Sequence, residues 1–176
     1  MRTRRRSILG TILLAAAMLV AVRPCTAQKK DYLGELEADK IRDAETATQR
    51  VKLYLLFASD RIKKIQYELQ RTSRDRMWED RLSSLFNAYS GCLDDAADTL
   101  DAALDKLEDI RPAIKEMDAK TKEFEMVLDR LSAGNPDLPK FKDALDDARE
   151  ATQEAIKTTE KAAKAVPSAP VRRKPS

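Results

Sequence analysis

The sequence predicts an all-α protein: an antiparallel bundle of three to four long helices with coiled-coil-like packing. Charged residues make up 36% of the 176 residues, against roughly 25% in an average globular domain. The chain has only four Gly and seven Pro to break helices. Apolar residues also recur at alternating intervals of three and four, which is the heptad spacing of packed helices.

Residues 1–27 are predicted to be a cleaved signal peptide. A basic stretch (1–6) is followed by 15 uncharged, mostly apolar residues (8–22) and by the small residues 25–27 before the cut. The apolar run is shorter than the about 20 residues that span a membrane. We therefore expect an exported protein, periplasmic or secreted, with no stable membrane span. An uncleaved N-terminal membrane anchor is the alternative, and both the general secretory and the twin-arginine routes stay open.

The leader also accounts for the net charge of +3. Arg2, Arg4, Arg5, Arg6 and Arg23 lie in it, so the remaining chain carries 28 basic and 30 acidic residues. A near-neutral mature chain without an aromatic–basic pattern argues against nucleic-acid binding.

The chain contains no His. This excludes a Ser-His-Asp or Cys-His nucleophile, a His-ligated metal and an imidazole acid–base group. We therefore predict a protein that is not an enzyme and has no cofactor and no metal site.

The first long helix is predicted over residues 31–72, which contain no Pro and one Gly. Residues 53–58 are apolar on nearly every side, so this helix should contact two or more others. Thr72 and Ser73 interrupt the pattern and can cap a second helix. The apolar positions of the first helix are Ile41, Ala44, Thr48, Val51, Leu55, Ala58, Ile62, Ile65 and Leu69.

The second and third helices are predicted over residues 74–110 and 112–133. Gly91 lies inside the second helix and permits close approach of a neighbour or a slight bend. Pro112 either begins the third helix or kinks one continuous helix, because the apolar register continues past it. The apolar positions of the second helix are Trp78, Leu82, Leu85, Tyr89, Cys92, Ala96, Leu100, Ala103, Leu107 and Ile110.

A Gly/Pro-rich boundary at residues 132–139 precedes a last helix over 138–165, which closes a single domain spanning 28–166. The Pro-rich basic tail, 167–176, is predicted to be disordered. Its residues Arg172, Arg173 and Lys174 are candidates for binding a partner through an anionic surface.

Cys92 is the one cysteine that remains after leader removal. Its place on the apolar stripe favours a buried small hydrophobe, and an intermolecular disulfide in an oxidising compartment is the alternative.

Four acidic residues share one helix face: Asp94, Asp98, Asp101 and Asp105. Carboxylates strung along one helix diverge, so we expect a solvated or salt-paired face. An antiparallel first helix would set this face beside the basic residues of 42–52.

These features predict an exported, non-enzymatic interaction or structural protein of the cell envelope. Its partners would be envelope proteins of unknown identity, and self-association into a homo-oligomer stays open. The alternative is a periplasmic holdase-type chaperone that grips unfolded clients between its helices.

Overall fold

A computed structural model describes residues 32–133 and 135–166. Within these ranges the chain is all-helical and has no strand, which confirms the predicted all-α class. The predicted leader (1–27), Gly134 and the basic tail (167–176) lie outside the described residues. The helices are α1 (Glu35–Asp43), α2 (Ala47–Gln70), α3 (Trp78–Asp105), α4 (Arg111–Ser132) and α5 (Leu138–Ala165).

The prediction of one helix over residues 31–72 is wrong, because the chain breaks between α1 and α2. Thr46 adopts extended backbone angles, and its hydroxyl accepts a hydrogen bond from the Gln49 backbone N–H at 3.2 Å. The Gln49 side chain in turn accepts from the Thr46 N–H at 3.2 Å. This reciprocal pair is a capping box, which starts a helix at a defined residue. The spacing of apolar residues by three and four continues across this break, so the sequence pattern does not indicate it.

The turn between α3 and α4 decides between the two roles of Pro112. The Glu108 N–H bonds to the Ala103 carbonyl at 3.1 Å and the Leu107 N–H bonds to the Leu104 carbonyl at 3.0 Å. This is a Schellman ending, which places one residue in the left-handed region. That residue is Leu107, with φ of 57°. Pro112 then lies in the first turn of α4, where it begins a new helix.

The start of α3 also differs from the prediction. Its first residue is Trp78 rather than residue 74, and Thr72 and Ser73 do not cap it. Asp75 instead accepts a hydrogen bond from the Met77 N–H at 3.0 Å and pairs with Arg81. The carboxylate therefore holds the segment before the helix in a turn.

The four longer helices contact one another in a closed ring. α2 packs against α3 and α4, and α5 packs against the same two helices, while α1 lies on α2. Helices α4 and α5 are antiparallel, since Arg149 of α5 donates a hydrogen bond back across the connecting turn to Asp129 of α4. Helices α3 and α5 run in the same direction. Near their starts Phe141 of α5 stacks on Phe86 of α3, and further along both helices Lys161 pairs with Asp101.

Aromatic rings fill the space between α3, α4 and α5. The rings of Tyr89 and Phe124 meet edge to face at 5.5 Å, and those of Phe86 and Phe141 stack at 6.0 Å. The Tyr89 hydroxyl, which is buried, bonds to the Thr152 hydroxyl at 2.7 Å. Burial raises the pKa of Tyr89 above its usual value, so it stays neutral. A buried polar atom thereby receives the partner it needs.

The start of α2 lies beside the end of α3, where Thr48 bonds to the Asp109 carbonyl, but no ion pair among the described residues joins the acidic face to the 42–52 stretch. Asp101 is instead bonded to Lys161 of α5 at 3.2 Å. Asp94 is near Asp98, and burial together with that like charge raises its pKa.

We predict that Leu107→Gly stabilises the protein. A left-handed residue with a Cβ costs about 1–2 kcal/mol, and Leu107 is 91% exposed, so its side chain contributes little packing. Because Gly also gains freedom in the unfolded chain, the expected net gain is about 0.5–1 kcal/mol in urea unfolding. Leu107→Ala keeps the Cβ and is the control; an equal gain from it would refute the backbone explanation.

Candidate functional site

Four residues join the N-terminal segment to α2 and α3. We call residues 32–43 the strap, and Tyr32, Glu37, Arg61 and Gly91 the clasp. Arg61 of α2 is only 7% exposed. A buried guanidinium needs an anion and hydrogen-bond acceptors to offset its desolvation, and the strap supplies them.

The Arg61–Glu37 contact is bidentate. Arg61 Nη1 donates to Glu37 Oε1 at 2.7 Å and Nη2 donates to Oε2 at 2.5 Å. Nη2 also donates to the Tyr32 carbonyl at 3.2 Å, and Nη1 donates to Asp60 at 3.0 Å. Such fork-to-fork pairing fixes orientation as well as charge. Arg61 thus binds the strap at two points, the Tyr32 carbonyl and the Glu37 carboxylate.

The ion pair changes the titration of both groups. The hydrogen bond from Arg61 lowers the pKa of Glu37, and the bond to Glu37 raises the pKa of Arg61. Desolvation opposes both shifts but is the smaller effect. Glu37 is therefore ionised well below neutral pH.

Gly91 provides the seat for the Tyr32 ring. A Cβ at Gly91 would lie 2.8 Å from Tyr32 Cε1, closer than carbon atoms approach. The expectation that Gly91 permits a close neighbour is confirmed, and that neighbour is the strap. The Tyr32 hydroxyl is buried without a hydrogen-bond partner in the described part of the chain.

Cys92 adjoins this seat and is fully buried, as its place on the apolar stripe predicts. It lies close enough to Arg61 to raise the pKa of that guanidinium. A buried thiol meets another chain only after the helices separate, so an intermolecular disulfide at Cys92 stays a prediction. The other predicted site residues, Arg172, Arg173 and Lys174, lie outside the described residues.

A groove opens at the end of the bundle where α2 and α4 both terminate. It has a volume of about 430 Å³. Its rim includes Arg74, which pairs with Asp137 and lies 4.3 Å from the centroid of the Trp78 ring. Trp78 is buried and donates to the Glu68 carbonyl at 3.0 Å, so it anchors the core. We call this feature the base groove; it is lined by Gln66, Leu69, Gln70, Arg74, Arg130, Leu131, Ala133, Asn135, Pro136 and Asp137.

The solvent side of α2 carries apolar residues among lysines. Leu56 is 59% exposed and Tyr67 is 65% exposed. Leu56 and Tyr67 are eleven residues apart, and eleven steps of about 100° bring a helix back to nearly the same angle, so both side chains lie on one face. Lys63 lies between them on this face, and Lys52 lies one turn before Leu56. We call Lys52, Leu56, Lys63 and Tyr67 the outer face of α2. Val51, Leu55 and Ile62 occupy the opposite, buried side.

The described residues contain neither a metal-binding cluster nor a membrane-spanning helix. No group of three His, Cys, Asp or Glu side chains is placed to hold a metal ion. None of the described helices combines the length and apolar character that crossing a membrane requires.

Comparison of the chain with models of protein families, with curated proteins and with solved structures gives no match.

Sequence reasoning identified Gly91 as a place of close approach but missed the ion pair of the clasp. Glu37 and Arg61 are 24 residues apart, and each resembles the many other charged residues of an amphipathic helix. One signal was present: Arg61 lies beside Ile62 on the side of the helix that the apolar stripe marks as buried.

We predict that Glu37→Gln weakens the protein at neutral pH and has little effect in acid. Because the folded pKa of Glu37 is lowered, its contribution is complete above its unfolded pKa of about 4.3 and is lost as the pH falls through the folded value. The expected loss at pH 7 is about 1–2 kcal/mol of unfolding free energy. Denaturant unfolding at pH 7 and at pH 3 measures it. A gap between wild type and variant that is equal at both pH values would contradict this origin.

We predict that Arg74→Ala destabilises the base of the bundle by about 1–2 kcal/mol, since it removes both the stacking on Trp78 and the Asp137 ion pair. Arg74→Lys should lose about half as much, because it keeps the charge but not the flat guanidinium. Trp78 is the single tryptophan, so its fluorescence reports the change directly. Equal losses in the two variants would show that the charge kept by Lys, and with it the Asp137 ion pair, contributes nothing. An unchanged stability in Arg74→Lys would show instead that the stacking contributes nothing.

Proposed function

We propose that the protein is an exported, non-enzymatic helical protein of the cell envelope that acts by binding another protein. The observation that carries this proposal is the outer face of α2. Leu56 and Tyr67 stand in solvent on one face, although the opposite side of the same helix buries its apolar residues.

The chemistry of this face suits a protein partner. Tyrosine is enriched at the centre of protein interfaces because it offers a large apolar ring with a polar tip. Lys52 and Lys63 flank the two apolar side chains. Asp60 lies on the same side of α2 but is paired with Lys64 and Arg61, so the two lysines leave an excess of positive charge there. A complementary partner would present an apolar pocket for Tyr67 within an acidic rim.

The remaining support is compositional. The basic–apolar–small order of residues 1–27 favours export to the periplasm or secretion. Large side chains such as Trp78, Tyr89 and Phe124 are already used in the core. A well-packed core of this kind keeps the surface residues in fixed positions, which suits binding to a partner protein.

We also propose that α2 to α5 make up a four-helix bundle with coiled-coil-like packing. The support is the ring of contacts among these helices and the spacing of buried residues by three and four in α3, as in Tyr89, Cys92, Ala96, Leu100 and Ala103.

Site-specific photocrosslinking in the envelope of the host tests the function. A photoreactive amino acid at position 67 should give one stoichiometric crosslinked partner. The same residue at position 122, an exposed lysine on α4, is the matched control. Leu56→Ala should reduce the yield at position 67 by about tenfold, the effect of losing one interface anchor.

Other outcomes separate the alternatives. Many unrelated, unfolded proteins crosslinked at both positions would favour the holdase-type chaperone. Equal, weak labelling from positions 67 and 122 would overturn the outer face of α2 as a binding surface.

A further inference from the structure

The strap is attached differently from the other helices that the structure describes. α1 has no buried residue, whereas α2 to α5 bury between five and ten residues each. Leu36 points into solvent at 77% exposure, and the apolar contribution of the strap to the core is limited to the half-buried Tyr32, Leu33 and Ile41. Elements with few buried contacts open at low free-energy cost while the rest stays folded.

The groups that hold the strap belong to α2 and α3. The surface beneath the strap offers a buried cation at Arg61 and a flat seat at Gly91, where no side chain fills the space. If the strap leaves, Arg61 loses its bidentate anion and its bond to the Tyr32 carbonyl, and keeps Asp60. An arginine held in this way binds another carboxylate readily, because it is already placed and partly desolvated.

The strap fits this surface imperfectly. The Tyr32 hydroxyl is buried with no described hydrogen-bond partner, which costs free energy that a ring without a hydroxyl would not lose. A phenylalanine in the same seat would therefore bind better than the chain's own tyrosine.

We propose that the strap is an autoinhibitory segment that covers a docking surface on α2 and α3. The ligand of this surface is a segment of a partner protein that supplies an aromatic ring for Gly91 and, five residues later, a carboxylate for Arg61. The inference deepens the proposed function in protein binding and rests on it for the existence of a partner. It assigns a second surface, distinct from the outer face of α2.

Release of the strap is measured first, by hydrogen exchange of the α1 amides in the full chain. Glu37→Gln should accelerate exchange of residues 35–43 about tenfold or more, because it removes the charge-assisted pair. Gln at this position still accepts the Gly34 N–H, so the helix cap is retained. Asp60→Asn is the matched control: Asp60 also bonds Arg61 but belongs to α2, and exchange of α1 should stay within about twofold of wild type.

Two more variants test the ring seat. Gly91→Ala should accelerate exchange of α1 because its Cβ displaces Tyr32, while α3 gains helix propensity and keeps its protection. Tyr32→Phe should slow exchange of α1, since it removes the unpaired hydroxyl.

Docking is measured second, with a fluorescent peptide of residues 32–43 as the probe. The full chain carrying Tyr32→Ala and Glu37→Gln has a weakened strap and should bind this peptide in trans. A peptide with the Glu37→Gln change should bind about tenfold more weakly, and Arg61→Gln in the protein should remove the difference between the two peptides.

Equal binding of the two peptides, or equal exchange in the Glu37→Gln and Asp60→Asn proteins, would overturn the docking surface. These readouts use no cellular partner, so their failure leaves the crosslinking result at position 67 unaffected. A failure of that crosslinking in turn leaves the exchange and peptide results intact, and the two proposals are separately refutable.

Discussion

Burial of the apolar face of α3 is the interaction on which the other helices depend. α3 contacts α2 on one side and α5 on the other, and its Tyr89 reaches the Phe124 ring of α4. Ten of its residues are buried, more than in any other described helix. Since isolated helices of this length are marginal in water, the shared apolar face supplies the free energy that makes each of them stable.

Polar contacts add direction to this apolar packing. The Tyr89–Thr152 hydroxyl pair fixes how far α5 is displaced along α3, and Arg74 joins the α2–α3 connection to Asp137 before α5. Exposed ion pairs of this kind contribute little free energy each. These contacts favour one alignment of the helices, whereas apolar surfaces of similar spacing can pack in several alignments.

The clasp is stabilised by a buried ion pair and hydrogen bonds, whereas the core is stabilised by apolar packing. Arg61 lies where an apolar residue would have packed, and its burial is acceptable only while the strap supplies Glu37 and the Tyr32 carbonyl. The strap is therefore fastened by groups that a partner segment can also provide. In the proposal made above, the strap can leave this surface while the core stays folded, because the core does not depend on residues of α1.

The all-α class, the ends of the last two helices to within about one residue and the burial of Trp78 and Cys92 could all be predicted from the sequence, because they follow from local propensity and from spacing along one helix. The sequence did not reveal the break at Thr46, where a capping box outweighed a continuous apolar register. Nor did it reveal the partner of Asp101, which is Lys161 rather than the 42–52 stretch. The Glu37–Arg61 pair was equally hidden. These pairings depend on tertiary packing, because many similar charged residues compete for each partner and the outcome is set by which helices become neighbours and in which alignment.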